Sequence, residues 1–244
     1  IYRVLGLPLG HCLLVGVGGS GKQSLTKLST FACGYKLFEI QLSRGYSEKE
    51  FRDDLKSLYG MLGDGPVVFL FTDAHVVEEG FLELINNMLT TGMVPALFEN
   101  DEKDMACNQV RAEVKELGMV DTKDNLWAYF VEKCRRNLHI VLAMSPSGDT
   151  LRIRCRNFPG LVSGCVIDWF FPWPSDALQS VANYFLQDEA LPEDQRTSIV
   201  EHMVVVHQGV VQASEQFFLE LRRHNYVTPK NFLDYIANYR TGMK

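Results

Sequence analysis

At 244 residues the chain is long enough for one large α/β domain, or for a large domain and a small one. Hydrophobic residues make up 46% and charged residues 22%, as in ordinary globular proteins, and the longest apolar runs, His11–Val17 and Val67–Phe71, are far too short to span a bilayer. A net charge of −6 with both signs interspersed leaves no basic stripe for DNA or RNA, so neither nucleic acid nor membrane is expected as a partner.

The opening Ile1-Tyr2-Arg3-Val4 has no signal pattern and no initiator Met, and reads as an internal piece of a longer polypeptide. Segments rich in Val, Ile, Leu and Phe predict strands at Cys12–Gly16, Leu37–Gln41, Val67–Thr72, Leu138–Met144 and Cys165–Phe170. Their apolar and polar residues barely alternate, which predicts burial on both faces of a parallel sheet covered by helices. Helical stretches are expected near Lys22–Phe31, Ser47–Leu62, Glu78–Thr90, Met105–Leu117 and Asn125–Arg135, giving the βαβ rhythm of a doubly wound fold. Phe171-Pro172-Trp173-Pro174 breaks that rhythm, because proline fixes its own φ and restricts the residue before it. Beyond it Ser175–Leu186, Glu193–Arg223 and Pro229–Lys244 read as helices, the last opened by Thr228 as N-cap and Pro229 at the first helical position. The expected architecture is a five-stranded α/β domain over residues 1–172 and a small helical lid over 173–244.

Six scattered cysteines without a C-x-x-C pair indicate a reducing compartment, and the histidines have no metal-ligand spacing. His202 and His207, five residues apart, do not share a helical face and read as structural.

The chemistry gathers at strand ends. Gly16-Val17-Gly18-Gly19-Ser20-Gly21-Lys22 follows the first strand and opens the first long helix, the placement of a P-loop. Glycines let successive N–H groups curl around phosphate oxygens, and the helix N-terminus adds a favourable dipole. Gly18, Gly19, Ser20, Gly21 and Lys22 are therefore the expected phosphate ligands, with the Lys22 amine reaching the β- and γ-phosphates. The residue after the lysine should be Ser or Thr to hold Mg²⁺, but Gln23 stands there. Ser24 comes one place late, about 100° further round the helix. The amide oxygen of Gln23 is a hard but unusual ligand.

The strand Val67–Phe71 should lead into Asp-Glu; it leads into Thr72-Asp73-Ala74-His75. If Asp73 is the metal-side acid, Ala74 replaces the general base; if Asp73 is the base, Thr72 replaces the metal-side acid. One carboxylate is missing either way, and a base one methylene short loses catalytic geometry. Ser145, in Met144-Ser145-Pro146, stands where ring ATPases of the AAA+ type place an Asn to orient the attacking water. Asp73 and Ser145 are thus weak catalytic candidates, and Gln23 and Asp73 the candidate Mg²⁺ ligands. Arg152, Arg154 and Arg156 lie where a ring ATPase can offer arginines to the phosphates of the adjacent module, though a solvated charged face is the plain alternative. The place before the final strand that many such modules give to an arginine is Gly164. Lys230, opening the last helix, is the candidate lid-side phosphate contact.

Several motifs in order resemble the fourth AAA+ module of axonemal dynein heavy chains: Gly16–Leu25, Phe69–Asp73 with Phe81–Asn87, Leu138–Pro146, Arg152–Pro159, Ile167–Phe170 and Trp173-Pro174. The resemblance implies an AAA+ P-loop fold and ADP or ATP as ligand, with Mg²⁺. It also implies neighbouring modules of the same heavy chain, intermediate and light chains, and a microtubule reached through a coiled-coil stalk as partners. The implied setting is the axoneme of a cilium or flagellum, and the implied role of the module regulatory or structural. Phe232–Arg240 would be the stalk root, its helix running on past Lys244. An active ATPase using Asp73 and arginines of a neighbour is the competing reading. A stand-alone kinase or GTPase fits less well, since no N-K-x-D motif is present and the lid is C-terminal. The intact loop argues against a scaffold without nucleotide.

Overall fold

The computed structural model describes residues 1–189 and 191–243, so Lys244, the last residue of the helix expected from Pro229, lies outside the described residues. Two compact units emerge: Ile1–Gly16 with Lys22–Trp169, and Val17–Gly21 with the chain from Phe170 onward.

The first unit runs α1 (Tyr2–Leu5), β1 (Cys12–Val15), α2 (Lys22–Cys33), β2 (Lys36–Phe38), α3 (Glu48–Asp64) and β3 (Val67–Thr72), followed by a 3₁₀ turn at Asp73–His75. It continues through α4 (Gly80–Thr91), α5 (Asn100–Glu116), α6 (Lys123–Asn137), β4 (Leu138–Met144), α7 (Thr150–Asn157), α8 (Gly160–Ser163) and β5 (Val166–Trp169). The five strands form one parallel sheet in the order β2-β3-β4-β1-β5, the expected AAA+ P-loop arrangement. This order sets the C-terminal ends of β3, β4 and β1 side by side, where ligands of open parallel sheets bind.

β1, β3 and β4 are buried along their whole length, as unbroken apolar runs require. β5 corrects the expectation of burial on both faces: all four of its residues are exposed. Among the described residues it is an edge strand paired to β1 alone, and an apolar run is buried on both faces only where helices cover both. β2 also ends sooner than expected, at Phe38. Two short helices, α7 and α8, occupy the segment between β4 and β5 that carries the three arginines.

Aromatic rings fill the space between sheet and helices. Phe51 of α3 stacks on Phe81 of α4 with centroids 4.4 Å apart, and Phe71 of β3 packs against Phe51 at 5.9 Å. The buried Tyr59 hydroxyl donates to the Gly92 carbonyl at 2.9 Å, which satisfies its polar end. Ser47 and Glu50 cap α3 reciprocally, the Ser47 N–H donating to the Glu50 carboxylate at 3.0 Å.

One buried pair makes this unit sensitive to acid. The Ile140 N–H donates to His11 Nδ1 at 3.0 Å, so His11 is neutral there, and His139 Nδ1 lies 3.0 Å from the Gly10 carbonyl. Burial first, then the charges of His139 and Arg135, push the His11 pKa down to about 4 from 6.5. A histidine whose folded pKa is depressed contributes fully above its unfolded pKa and loses that contribution as pH falls towards the folded value. The expected loss is ~2 kcal/mol between about pH 7 and about pH 5. The thermal unfolding midpoint should fall across this window, and less so in His11→Asn, whose amide oxygen can still accept from Ile140. Equal slopes in the two proteins would show that His11 is not the cause.

The second unit packs α9 (Ser175–Leu186), α10 (Glu193–Leu221) and α11 (Pro229–Gly242) around a small core of Leu178, Ala182, Leu186, Met203, Phe232 and Ile236. α11 begins as expected: Thr228 N–H donates to Asn231 Oδ1 at 2.8 Å, Thr228 Oγ1 accepts from Asn231 N–H, and Pro229 follows the cap. Among the described residues no helix is long and apolar enough to cross a membrane.

Candidate nucleotide site

β1 stops at Val15, and the Gly16 N–H still reaches the Met144 carbonyl of β4 at 3.1 Å, so the loop leaves the sheet beside the end of β4. α2 opens on Lys22, which is only 8% exposed and donates from Nζ to the Gly16 carbonyl at 2.5 Å. Burial pulls the Lys22 pKa down and the nearby Asp73 charge pushes it back. The buried hydroxyls of α2 turn inward: Thr26 donates to the Lys22 carbonyl and Thr30 to the Thr26 carbonyl, each at 2.8 Å. Gln23 and Ser24 are exposed on the same helix.

The loop residues Val17–Gly21 belong to the second unit together with α11. Gly19 and Gly21 have φ of +74° and +91°, the left-handed region that glycine enters without strain. A Cβ on Gly19 would stand 2.9 Å from Lys230 Cβ and 3.1 Å from Thr228 Oγ1, so glycine is the residue that fits at this approach. Lys230 is thereby placed beside the loop by the N-terminus of α11.

The acidic end of the site forms where β3 gives way to the 3₁₀ turn. Thr72 is the last strand residue; its Oγ1 is buried and has no hydrogen-bond partner among the described residues. Its N–H donates to His75 Nδ1 at 3.2 Å. Asp73 comes next, and both of its carboxylate oxygens are engaged. Oδ2 accepts the Ser145 N–H at 2.5 Å, and Oδ1 accepts Arg154 Nη1 at 2.8 Å. Ala74 is exposed. The Ser145 hydroxyl lies 2.9 Å from that of Ser147.

Only one of the three arginines enters this cluster. Residues two apart on a helix lie ~200° round from each other, so Arg152 and Arg156 share one side of α7 and Arg154 takes the other. Arg152 and Arg156 are exposed, Arg152 lying 3.6 Å from Asp149. Arg154, with its side chain 11% exposed, also donates from Nε and Nη2 to Glu79 Oε1 at 3.1 and 3.0 Å. Glu79 was missed in the sequence: it lies between two motifs, just before α4, and only the folded backbone brings it to Arg154.

At a nucleotide Mg²⁺ takes near-octahedral oxygens, most of them from phosphates and waters, and asks of the protein one or two ligands, here a hydroxyl after the lysine and an acid at the strand end. The donor set here does not fit it. Gln23 is exposed, Asp73 already accepts two hydrogen bonds, and Thr72 offers one neutral hydroxyl. Among the described residues no group of three or more His, Cys, Asp or Glu can hold a metal.

The chain matches the profile of the family described as P-loop containing dynein motor region D4 over residues 1–241. It is similar to the Dynein-1-alpha heavy chain of the flagellar inner arm I1 complex of Chlamydomonas reinhardtii, with 64% identity over 245 residues covering 100% of this chain and 5% of that protein. It is also similar to Dynein axonemal heavy chain 10 of Homo sapiens, with 56% identity over 242 residues covering 98% of this chain and 5% of that protein. The Dynein beta chain of the flagellar outer arm of Chlamydomonas reinhardtii is 46% identical over 243 residues, with the same coverage. The chain thus spans about 5% of the length of these relatives.

Proposed function

The chain belongs to the P-loop containing dynein motor region D4 family, and from that membership we propose that its site holds an adenine nucleotide, ADP or ATP, and turns it over slowly or not at all. A P-loop of this family binds nucleotide. The observation that carries the finer reading is the state of Asp73, whose two oxygens are taken up by Arg154 and the Ser145 amide. The strand end supports Thr72 in the metal-side place and Asp73 in the place of the base, one methylene shorter than glutamate. Gly18, Gly19, Ser20, Gly21 and Lys22 cradle the phosphates, Gln23 and Ser24 flank them on α2, and Lys230 joins from α11.

In this reading the chain is a regulatory or structural module of a heavy chain that moves along microtubules in the axoneme of a cilium or flagellum, the setting of its relatives. Neighbouring AAA+ modules, intermediate and light chains and, through a stalk, the microtubule are its partners. α11 is the stalk root. Arg152 and Arg156, exposed on α7, are the arginines placed to face a neighbouring module.

A site-resolved chase tests the slow-site reading. The intact heavy chain is loaded with 2-azido-ATP and photolinked after increasing delays, and the tag on peptides spanning residues 16–24 is weighed. The tag should remain triphosphate while other sites of the chain have produced diphosphate. Conversion at the same pace as those sites would overturn the reading.

A further inference from the structure

We propose that Arg154 is a built-in cation beside Asp73, supplying the positive charge that a divalent metal would otherwise bring to the end of β3, so that this site holds nucleotide without Mg²⁺. The proposal rests on the nucleotide-holding reading above and goes beyond it, since it names what neutralises the acid of the site.

Three segments converge on the guanidinium: the end of β3 through Asp73, the turn before α4 through Glu79, and α7 through Arg154 itself. Nη1 takes Asp73 Oδ1 at 2.8 Å, while Nε and Nη2 both take Glu79 Oε1, at 3.1 and 3.0 Å. Nη1 also lies 4.0 Å from Met144 Sδ at the tip of β4. An isolated surface ion pair carries little weight. Arg154 differs because it is largely buried between two acids, and because a fixed fork that is always charged is pre-organised for carboxylates.

With Thr72 in the metal-side place, a metal at this strand end would find one neutral hydroxyl and would stand against the fixed positive charge that Arg154 sets on the neighbouring Asp73. Lys22 adds a second cation near the same carboxylate. Two protein cations thus stand near one acid before any metal arrives, and the residue that should complete the metal site, Gln23, is exposed on α2. The cluster also commits Arg154 to its own chain, since Nε, Nη1 and Nη2 each donate to Asp73 or Glu79.

The test uses the intact heavy chain and 2-azido-ADP, with the label on peptides spanning residues 16–24 quantified in Mg²⁺ and in EDTA. Wild type should lose less than about twofold of this label in EDTA, and Arg154→Ala more than about fivefold, because the bare carboxylate then needs an external cation. Arg154→Lys keeps one positive charge and should stay closer to wild type, which guards against a variant that merely unfolds. Wild-type label lost more than about fivefold in EDTA would overturn the proposal while leaving nucleotide binding intact. Equal metal dependence in all three proteins would overturn the role of Arg154. Label absent from these peptides in both media would overturn the nucleotide reading itself, and this proposal with it.

Discussion

Lys22→Ala is expected to abolish nucleotide retention at this site. Lys22 is the buried cation at the start of α2, held towards the loop by the Gly16 carbonyl. Burial lowers its pKa and the nearby Asp73 charge raises it again. Removing one member of a buried, hydrogen-bonded charge pair costs ~2–5 kcal/mol, which corresponds to a loss of affinity of about 30-fold to several thousand-fold. Azido-nucleotide label on the peptides spanning residues 16–24 should fall by at least the lower figure. The fold itself should survive, since the β1–β4 pairing and the Thr26–Thr30 backbone bonds do not involve the amine. Undiminished label in a folded variant would remove Lys22 from the site.

The second large effect is a gain. Gln23→Thr, Thr72→Asp and Asp73→Glu would supply the side chains that the sequence lacks, and Arg154→Ala would free the acid at position 73. A correctly placed general base contributes ~10²–10⁴-fold, so the four changes together should raise turnover at this site by about a hundredfold or more. The other pairing of the motif makes a contrasting forecast. Gln23→Thr with Ala74→Glu should leave turnover unchanged, because Ala74 is exposed on the 3₁₀ turn while Asp73 lies in the cluster with Ser145 and Arg154. The chase that follows 2-azido-ATP on this segment measures both. A gain in the second variant and none in the first would show that Asp73 is the metal-side acid.

Much of this was readable from residue type and spacing. Unbroken Val, Leu and Phe runs marked β3 and β4 to the residue, and the Gly16–Lys22 loop announced both the end of β1 and the start of α2. The Thr228-Pro229 cap marked α11 for the same reason: a local rule decides the local outcome. The misses are non-local. β5, with Val166, Ile167 and Trp169, was expected to be buried like β3, but it carries Asp168 and its place at the sheet edge leaves it exposed. The alternation of Arg152, Arg154 and Arg156 reads as a uniform basic patch until α7 turns one of them inward. Glu79 carries no motif at all. The orphaned hydroxyl of Thr72 could not be foreseen either, because a threonine at a strand end usually finds a partner.

The most direct test of the nucleotide-holding account is a density map of the intact heavy chain, fine enough to show phosphates and side chains at this loop. The account predicts ADP or ATP with its β-phosphate against the amides of Gly19, Ser20, Gly21 and Lys22 and the Lys22 amine, and with Arg154 still on Asp73. A loop without nucleotide density, in a map that resolves these side chains, would contradict it.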